Sequence, residues 1–215
     1  MELSGAQTKE KQPFYEKWYS FCRFVLKLAA LNFLWMGFTL VGGVLFGIGP
    51  ATIGLYTVLR QLIRGNVDVR VWRTFWAAYR TKFRAHALLG CGYAVTGIVL
   101  VTNLMAYPQF FSRVFFGGVF FFYLVSAAYL WPLLVHFELH NQKITQYIKS
   151  SLIIGVSYLQ YTLMMFVALA VIGVLMLFHF GITLFFFVSV TGGIIMWFTH
   201  RVFTLVDQSR VEVSP

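Results

Sequence analysis

The chain has 215 residues, of which 59% are hydrophobic and only 11% charged, whereas an ordinary soluble domain is about 25% charged. A water-soluble fold of this size has no use for so much apolar side chain, so a single soluble domain is excluded and the bilayer is the solvent. The formal charge of +10 does not imply a nucleic-acid partner. The Lys and Arg residues stand beside apolar segments rich in Trp, Tyr and Phe, which is the pattern of anchoring at a cytoplasmic membrane face.

In chain order, Met1 to Gln12 is polar and of mixed charge. The apolar run that follows is too long, and lacks the small-residue cleavage pattern, for a removable signal peptide. Residues 1–27 therefore read as a cytoplasmic N-terminal segment and 28–200 as the transmembrane domain. The first uncharged run, Leu28 to Leu59, exceeds the roughly 20 residues of one helical crossing. It is broken by Gly42-Gly43, Gly47 and Gly49-Pro50, so it reads as a span, a turn and a helix returning from Pro50 to about Ile63. The segment Arg60 to Arg84 is basic. Its aromatic residues Trp72, Phe75, Trp76, Tyr79 and Phe83 recur at helical spacing, which predicts an amphipathic helix lying along the interface. Further spans are expected over about Ala85 to Ala106 and Val114 to Phe137. The uncharged stretch Leu152 to Thr199 is long enough for two, with its turn at His179-Phe180-Gly181, and 201–215 is a cytoplasmic tail. The expected fold is all-α: a polytopic membrane helix bundle of about five full spans, a short returning helix and an interfacial amphipathic helix.

Orientation follows from counting Lys and Arg outside the spans. If the first run crosses and returns, both termini are cytoplasmic and sixteen of the seventeen basic residues lie inside, with Arg113 alone outside. A single crossing would leave the five basic residues of the N-terminal segment outside. The returning arrangement is preferred, with Arg60 and Arg64 snorkelling toward the cytoplasmic surface.

Groups able to carry chemistry are scarce. Proton coupling and intramembrane catalysis call for an ionisable group held in the membrane. All seven acidic residues, Glu2, Glu10, Glu16, Asp68, Glu138, Asp207 and Glu212, fall in the expected loops or tails. No Walker A, GxSxG, GxGxxG or HExxH pattern is present. The expectation is a protein that is not an enzyme and needs no cofactor, with any ATP hydrolysis supplied by a partner. His136, Glu138 and His140 approach metal-ligand spacing, but they sit at a span end where polar side chains reach headgroups, and a third ligand is unidentified. His86, His179 and His200 also fall near span ends. Cys22 and Cys91 are too isolated to suggest a disulfide or a metal site.

Gly43 to Gly47 is a GxxxG match, read as intramolecular packing against the returning helix in preference to dimerisation; a homo-oligomer has no other support. Pro132 should kink its span. Asn32, Asn103, Ser126, Ser157, Thr162 and Thr191 are polar groups inside spans, expected to hydrogen-bond between helices. The basic residues Arg70, Arg73, Arg80, Lys82 and Arg84 are the candidate contacts to lipid or to a partner.

Three stretches make the chain resemble the YesL family of bacterial membrane proteins. They are Gly49-Pro50-Ala51-Thr52-Ile53-Gly54-Leu55-Tyr56, Phe75-Trp76-Ala77-Ala78-Tyr79-Arg80-Thr81-Lys82-Phe83 and Leu130-Trp131-Pro132-Leu133-Leu134-Val135-His136-Phe137-Glu138. They are scaffold signatures, with Gly49, Pro50, Tyr56, Phe75, Tyr79, Phe83 and Pro132 as the structural positions. Members of that family are typically encoded beside carbohydrate ABC importers in Gram-positive bacteria. The resemblance thus implies an accessory protein of the bacterial cell membrane that contacts lipid and the membrane subunits of an oligosaccharide ABC importer. An autonomous transporter or channel for a small neutral solute is the alternative, and a water-accessible path lined by the polar span residues would favour it.

Overall fold

The computed structural model describes residues 4–66, 68–107, 109–136 and 144–212, and all regular structure among them is helical. The elements are α1 (Ser4–Val41), α2 (Leu45–Ile63), α3 (Val71–Arg80), α4 (Phe83–Ala106), α5 (Phe110–His136), α6 (Ile144–Ser157), α7 (Leu159–Leu177) and α8 (Phe180–Glu212). Five segments are long and apolar enough to cross a bilayer: Trp18–Val41, Phe83–Ala106, Phe110–His136, Leu159–Leu177 and Thr183–Asp207. Helix α1 starts at Ser4, ahead of the expected Leu28, so Arg23 and Lys27 lie on the same helix as the first crossing. Helix α1 runs through residue 27 and α8 continues to Glu212, so both terminal segments are continuous with the helices of the bundle.

The first uncharged run does turn back, and Gly42-Gly43 makes the turn. Gly43 takes φ +76°, a conformation open to glycine. The Val44 amide donates to Thr39 O at 2.9 Å and the Gly43 amide to Leu40 O at 3.0 Å, the two bonds of a Schellman stop. Gly65, at φ +84°, ends α2 in the same way through Gly65 N to Leu62 O and Asn66 N to Gln61 O. The returning helix therefore starts at Leu45 and not at Pro50. Pro50 lies inside α2, where it denies Phe46 O an amide partner and crowds that carbonyl with its ring. The GxxxG match does not act as one surface: Gly43 serves the turn, while Gly47 packs on the Thr39 backbone and Gly42 packs on Gly47. That packing is intramolecular, as expected.

The turn expected at His179-Phe180-Gly181 is found at Phe178 and His179, between α7 and α8. A second break, at Tyr158, was not expected. There Thr162 Oγ1 reaches back to Gly155 O at 2.8 Å and pairs with Tyr129 OH at 2.9 Å. A hydroxyl thus satisfies a carbonyl that the interrupted helix ladder leaves open. Gly155 lets this bend sit against α5, since a Cβ there would collide with Val125 and Tyr129.

The core is built where α2 meets its neighbours. Leu55, Val58 and Leu59 of α2, Leu31 of α1, Val125, Tyr129 and Leu130 of α5, and Met196, Val202 and Phe203 of α8 are all essentially buried. Fully removing such side chains from water is worth about 1.5–3 kcal/mol each in an aqueous reference. In a bilayer that driving force is replaced by close packing and interhelical hydrogen bonds.

Candidate functional site

The basic helix and its mounting come first. Phe75 is fully buried and Tyr79 nearly so, while Trp72 and Trp76 are 58% and 39% exposed. The aromatic stripe predicted from spacing is thus inward at 75 and 79 and open along its flank at 72 and 76. Phe38 of α1 is the hub, with ring centroids 5.6, 5.4, 5.2 and 4.9 Å from those of Trp72, Phe75, Trp76 and Tyr79. Phe83, half-buried at the start of α4, lies 5.4 Å from Tyr79. Gly54 of α2 receives Phe75, whose ring carbons stand 2.9 Å from where a Cβ would be. Tyr79 OH donates to Phe38 O at 3.2 Å, an acceptor shared with the Gly42 amide. Burial pushes the Tyr79 phenol pKa above its ordinary 10, so it stays a donor. Helix α3 is consequently fastened to the α1–α2 hairpin and is not a loose surface helix.

All five candidate cations, Arg70, Arg73, Arg80, Lys82 and Arg84, are exposed. Arg80 lies over Trp76, its guanidinium carbon 5.5 Å from the ring centroid, a cation–π arrangement. Lys82 holds φ +49°, ψ +37° as the hinge between α3 and α4. The result is a cationic, tryptophan-flanked face on a rigid base.

The scaffold residues serve packing. A Cβ at Gly49 would overlap His86 O, and Gly90 abuts the Gly49 backbone, so α2 and α4 cross at direct main-chain contact. Pro50 is buried beside Gly49, and Pro132 is buried in α5. Tyr56, 4% exposed, lines a cavity of about 300 Å³ together with Trp35, Thr52, Trp131, Phe166 and Thr191. The walls are chiefly apolar, and Thr52 Oγ1 already accepts from Trp35 Nε1 at 3.2 Å and donates to Ile48 O at 2.7 Å.

The polar span residues divide. Asn32 ties α1 to α8, donating to Leu184 O at 2.8 Å and accepting from Val188 N at 3.0 Å. Ser126 joins Tyr93 OH at 2.6 Å and Ser151 Oγ at 3.1 Å, and Thr162 joins Tyr129. These three make the expected interhelical bonds. Asn103 and Thr191 instead bond carbonyls of their own helices, Val99 O and Phe187 O, and Ser157 is exposed.

At the other end of α2 the snorkelling expected of Arg60 is not seen. Its guanidinium, half-buried, donates to Val135 O at 2.7 Å and His136 O at 3.2 Å, tying α2 to the last described turn of α5. Arg64 is exposed. His136 Nε2 stands 3.9 Å from Asp207 Oδ2, and its ring lies 5.9 Å from that of His200. Glu138 and His140, the rest of the proposed constellation, lie outside the described residues, and among the described residues no three His, Cys, Asp or Glu side chains gather as a metal site. Neither cysteine is in a disulfide.

Five crossing segments tied by buried aromatic packing and interhelical hydrogen bonds define a polytopic α-helical membrane protein. The chain belongs to the YesL-like DUF624 family. The family model "Protein of unknown function, DUF624" matches residues 28–104. Among curated proteins of Bacillus subtilis (strain 168), the uncharacterized protein YteU is 36% identical over 200 residues, covering 89% of this chain and 87% of its own. The uncharacterized protein YesL is 31% identical over 195 residues, covering 88% and 91%. No solved structure matches the chain.

Proposed function

We propose that the protein is a non-catalytic accessory subunit of the bacterial cell membrane that docks on the membrane subunits of an oligosaccharide ABC importer. The observation that carries the docking half is the rigid mounting of α3: Phe75 and Tyr79 are buried on the α1–α2 hairpin, while Trp72, Trp76, Arg73 and Arg80 face outward. Such a preorganised aromatic and Arg-rich face is the composition of binding hot spots. The importer half rests on the resemblance to the YesL family. The polar span residues favour this reading over transport, because Asn32, Ser126 and Thr162 spend their hydrogen bonds between helices.

One observation favours the second reading, a transporter for a small solute: the cavity of about 300 Å³ beside Trp35, Tyr56 and Trp131. Two measurements separate them. Deletion of the gene should lower oligosaccharide uptake with the importer genes intact, and crosslinking with mass spectrometry should recover importer membrane subunits. Purified protein alone in liposomes should move no sugar. Sugar flux in those liposomes would replace the accessory reading with the transporter.

A further inference from the structure

A second recess, of about 360 Å³, lies between α1, α2, α7 and α8, and its wall is almost wholly apolar. Its floor is formed by the buried Leu59 and Leu62, and its open edge by Phe24 and Trp197, 40% and 46% exposed. Ser189, the one hydroxyl in the wall, is buried and already donates to Phe186 O at 3.2 Å. Apart from the Trp197 indole N–H at the open edge, nothing in the groove asks a ligand for a hydrogen bond, which suits a hydrocarbon chain and not a sugar or an ion.

The rim is different. Arg201 stands one helical turn beyond Trp197 and folds back over its ring, the guanidinium carbon 4.8 Å from the centroid. Arg64 follows Ile63 of the wall at the end of α2, and Arg23 precedes Phe24 on α1. Both Arg64 and Arg201 are exposed. Arg23 is turned to Tyr19, its guanidinium carbon 5.1 Å from the ring centroid, and to Asp68 at 3.8 Å, and Asp207 lies further along α8 beside His136. Arg201 thus brings a guanidinium to the mouth of one apolar groove, and Arg64 directly follows its α2 wall, the charge pattern of a phosphate-bearing headgroup above its acyl chain.

We propose that this groove is a specific site for an anionic diacyl glycerophospholipid, with one acyl chain between α1 and α8 and the phosphate held by Arg64 and Arg201. Gly193 provides the test, because it lines the groove and a Cβ there would have its nearest neighbour, Leu59, at 4.0 Å. Gly193→Leu therefore puts a side chain into the acyl path, while Gly193→Ala leaves most of it open.

The full-length protein would be reconstituted in vesicles of equal parts phosphatidylglycerol and phosphatidylcholine, extracted, stripped of loosely held lipid and weighed by native mass spectrometry. One phosphatidylglycerol per chain is expected to persist. Each exposed charge near the lipid phosphate accounts for about a fivefold difference in affinity, so Arg64→Gln with Arg201→Gln should cut the preference for the anionic lipid about twenty-five-fold. Gly193→Leu should lose both lipids with helical circular dichroism unchanged, and Gly193→Ala should retain phosphatidylglycerol. The Arg pair is at exposed positions, so it reports even if Gly193→Leu does not fold. Equal retention of the two lipids by the unaltered protein, or retention unchanged in the Arg pair variant, would overturn the proposal.

Discussion

At the scale of single residues, the tightest constraint in the molecule is the crossing of Gly49 on α2 with Gly90 and His86 on α4. A methyl group at Gly49 would meet backbone, which cannot swing aside as a flexible side chain does. Overpacking of a core typically costs about 1–3 kcal/mol, and a backbone collision belongs at the top of that range. Gly49→Ala should accordingly lower stability by about 3 kcal/mol, read as a fall in melting temperature in detergent. Gly117→Ala on α5, where nothing lies within 4 Å of the new carbon, should be neutral or slightly stabilising, since Ala exceeds Gly in helix propensity. Equal effects at the two sites would mean that α2 and α4 do not meet as described. The sequence pointed to Gly49 through its Gly-Pro neighbour but gave no sign of Gly90. No spacing rule connects residues on different helices, and a lone glycine in an apolar span looks the same whether it faces lipid or another backbone. Arg60 is a similar case. A basic residue at a span end has a default destination in the headgroups, and only the packed bundle brings the carbonyls of Val135 and His136 within its reach.

At the scale of elements, legibility followed how local the determining interaction is. The Gly42-Gly43 turn could be read because a Schellman motif is decided within six residues and requires glycine at one of them. The bend at Tyr158 could not. Ser157-Tyr158-Leu159 contains neither Gly nor Pro, and the bend is held by Thr162 and by Tyr129 from another helix. The amphipathic character of α3 was visible in its spacing, but not that Phe38 and Gly54, on two other helices, would fix which aromatic rings turn inward. That placement yields a prediction. Arg70, Arg73, Arg80, Lys82 and Arg84 are exposed, and none takes part in the two ion pairs of the described residues, Arg23 with Asp68 and His136 with Asp207. Changing all five to Gln should leave the melting temperature nearly unchanged, because surface charges of this kind contribute about 0–1 kcal/mol each to folding. Recovery of crosslinked partner should fall, and the partner bound by the unaltered protein should weaken as salt is raised from 0.05 to about 0.5 M, where screening shortens to a few ångströms. Partner recovery indifferent to both the substitutions and the salt would show that this face is only solvated.

At the scale of the whole molecule, the contacts gather one set of helix ends. Phe24 and Leu28 near the start of the first span share a groove with Leu62 and Ile63 at the end of α2 and with Trp197 and Phe198 of α8. Arg60 joins α2 to the end of α5, and His136 of α5 approaches Asp207 of α8. Helix α1 therefore leaves this end of the bundle and α2 comes back to it, which is the returning arrangement inferred from the charge count. Both the start of the first span and the end of the last lie at this same end, and Tyr107 and Gln109, between α4 and α5, lie at the opposite one. The lysines and arginines then choose the side: with this end cytoplasmic, Arg23, Lys27, Arg64 and Arg201 fall inside, as the positive-inside bias favours. In a background with Cys22 and Cys91 replaced by Ser, Gln109→Cys should react with an impermeant maleimide in intact cells. Gly5→Cys should react only after the membrane is opened. Labelling of Gly5→Cys in intact cells would place the N-terminus outside, and labelling of both positions would put on one side two positions that the packing holds at opposite ends.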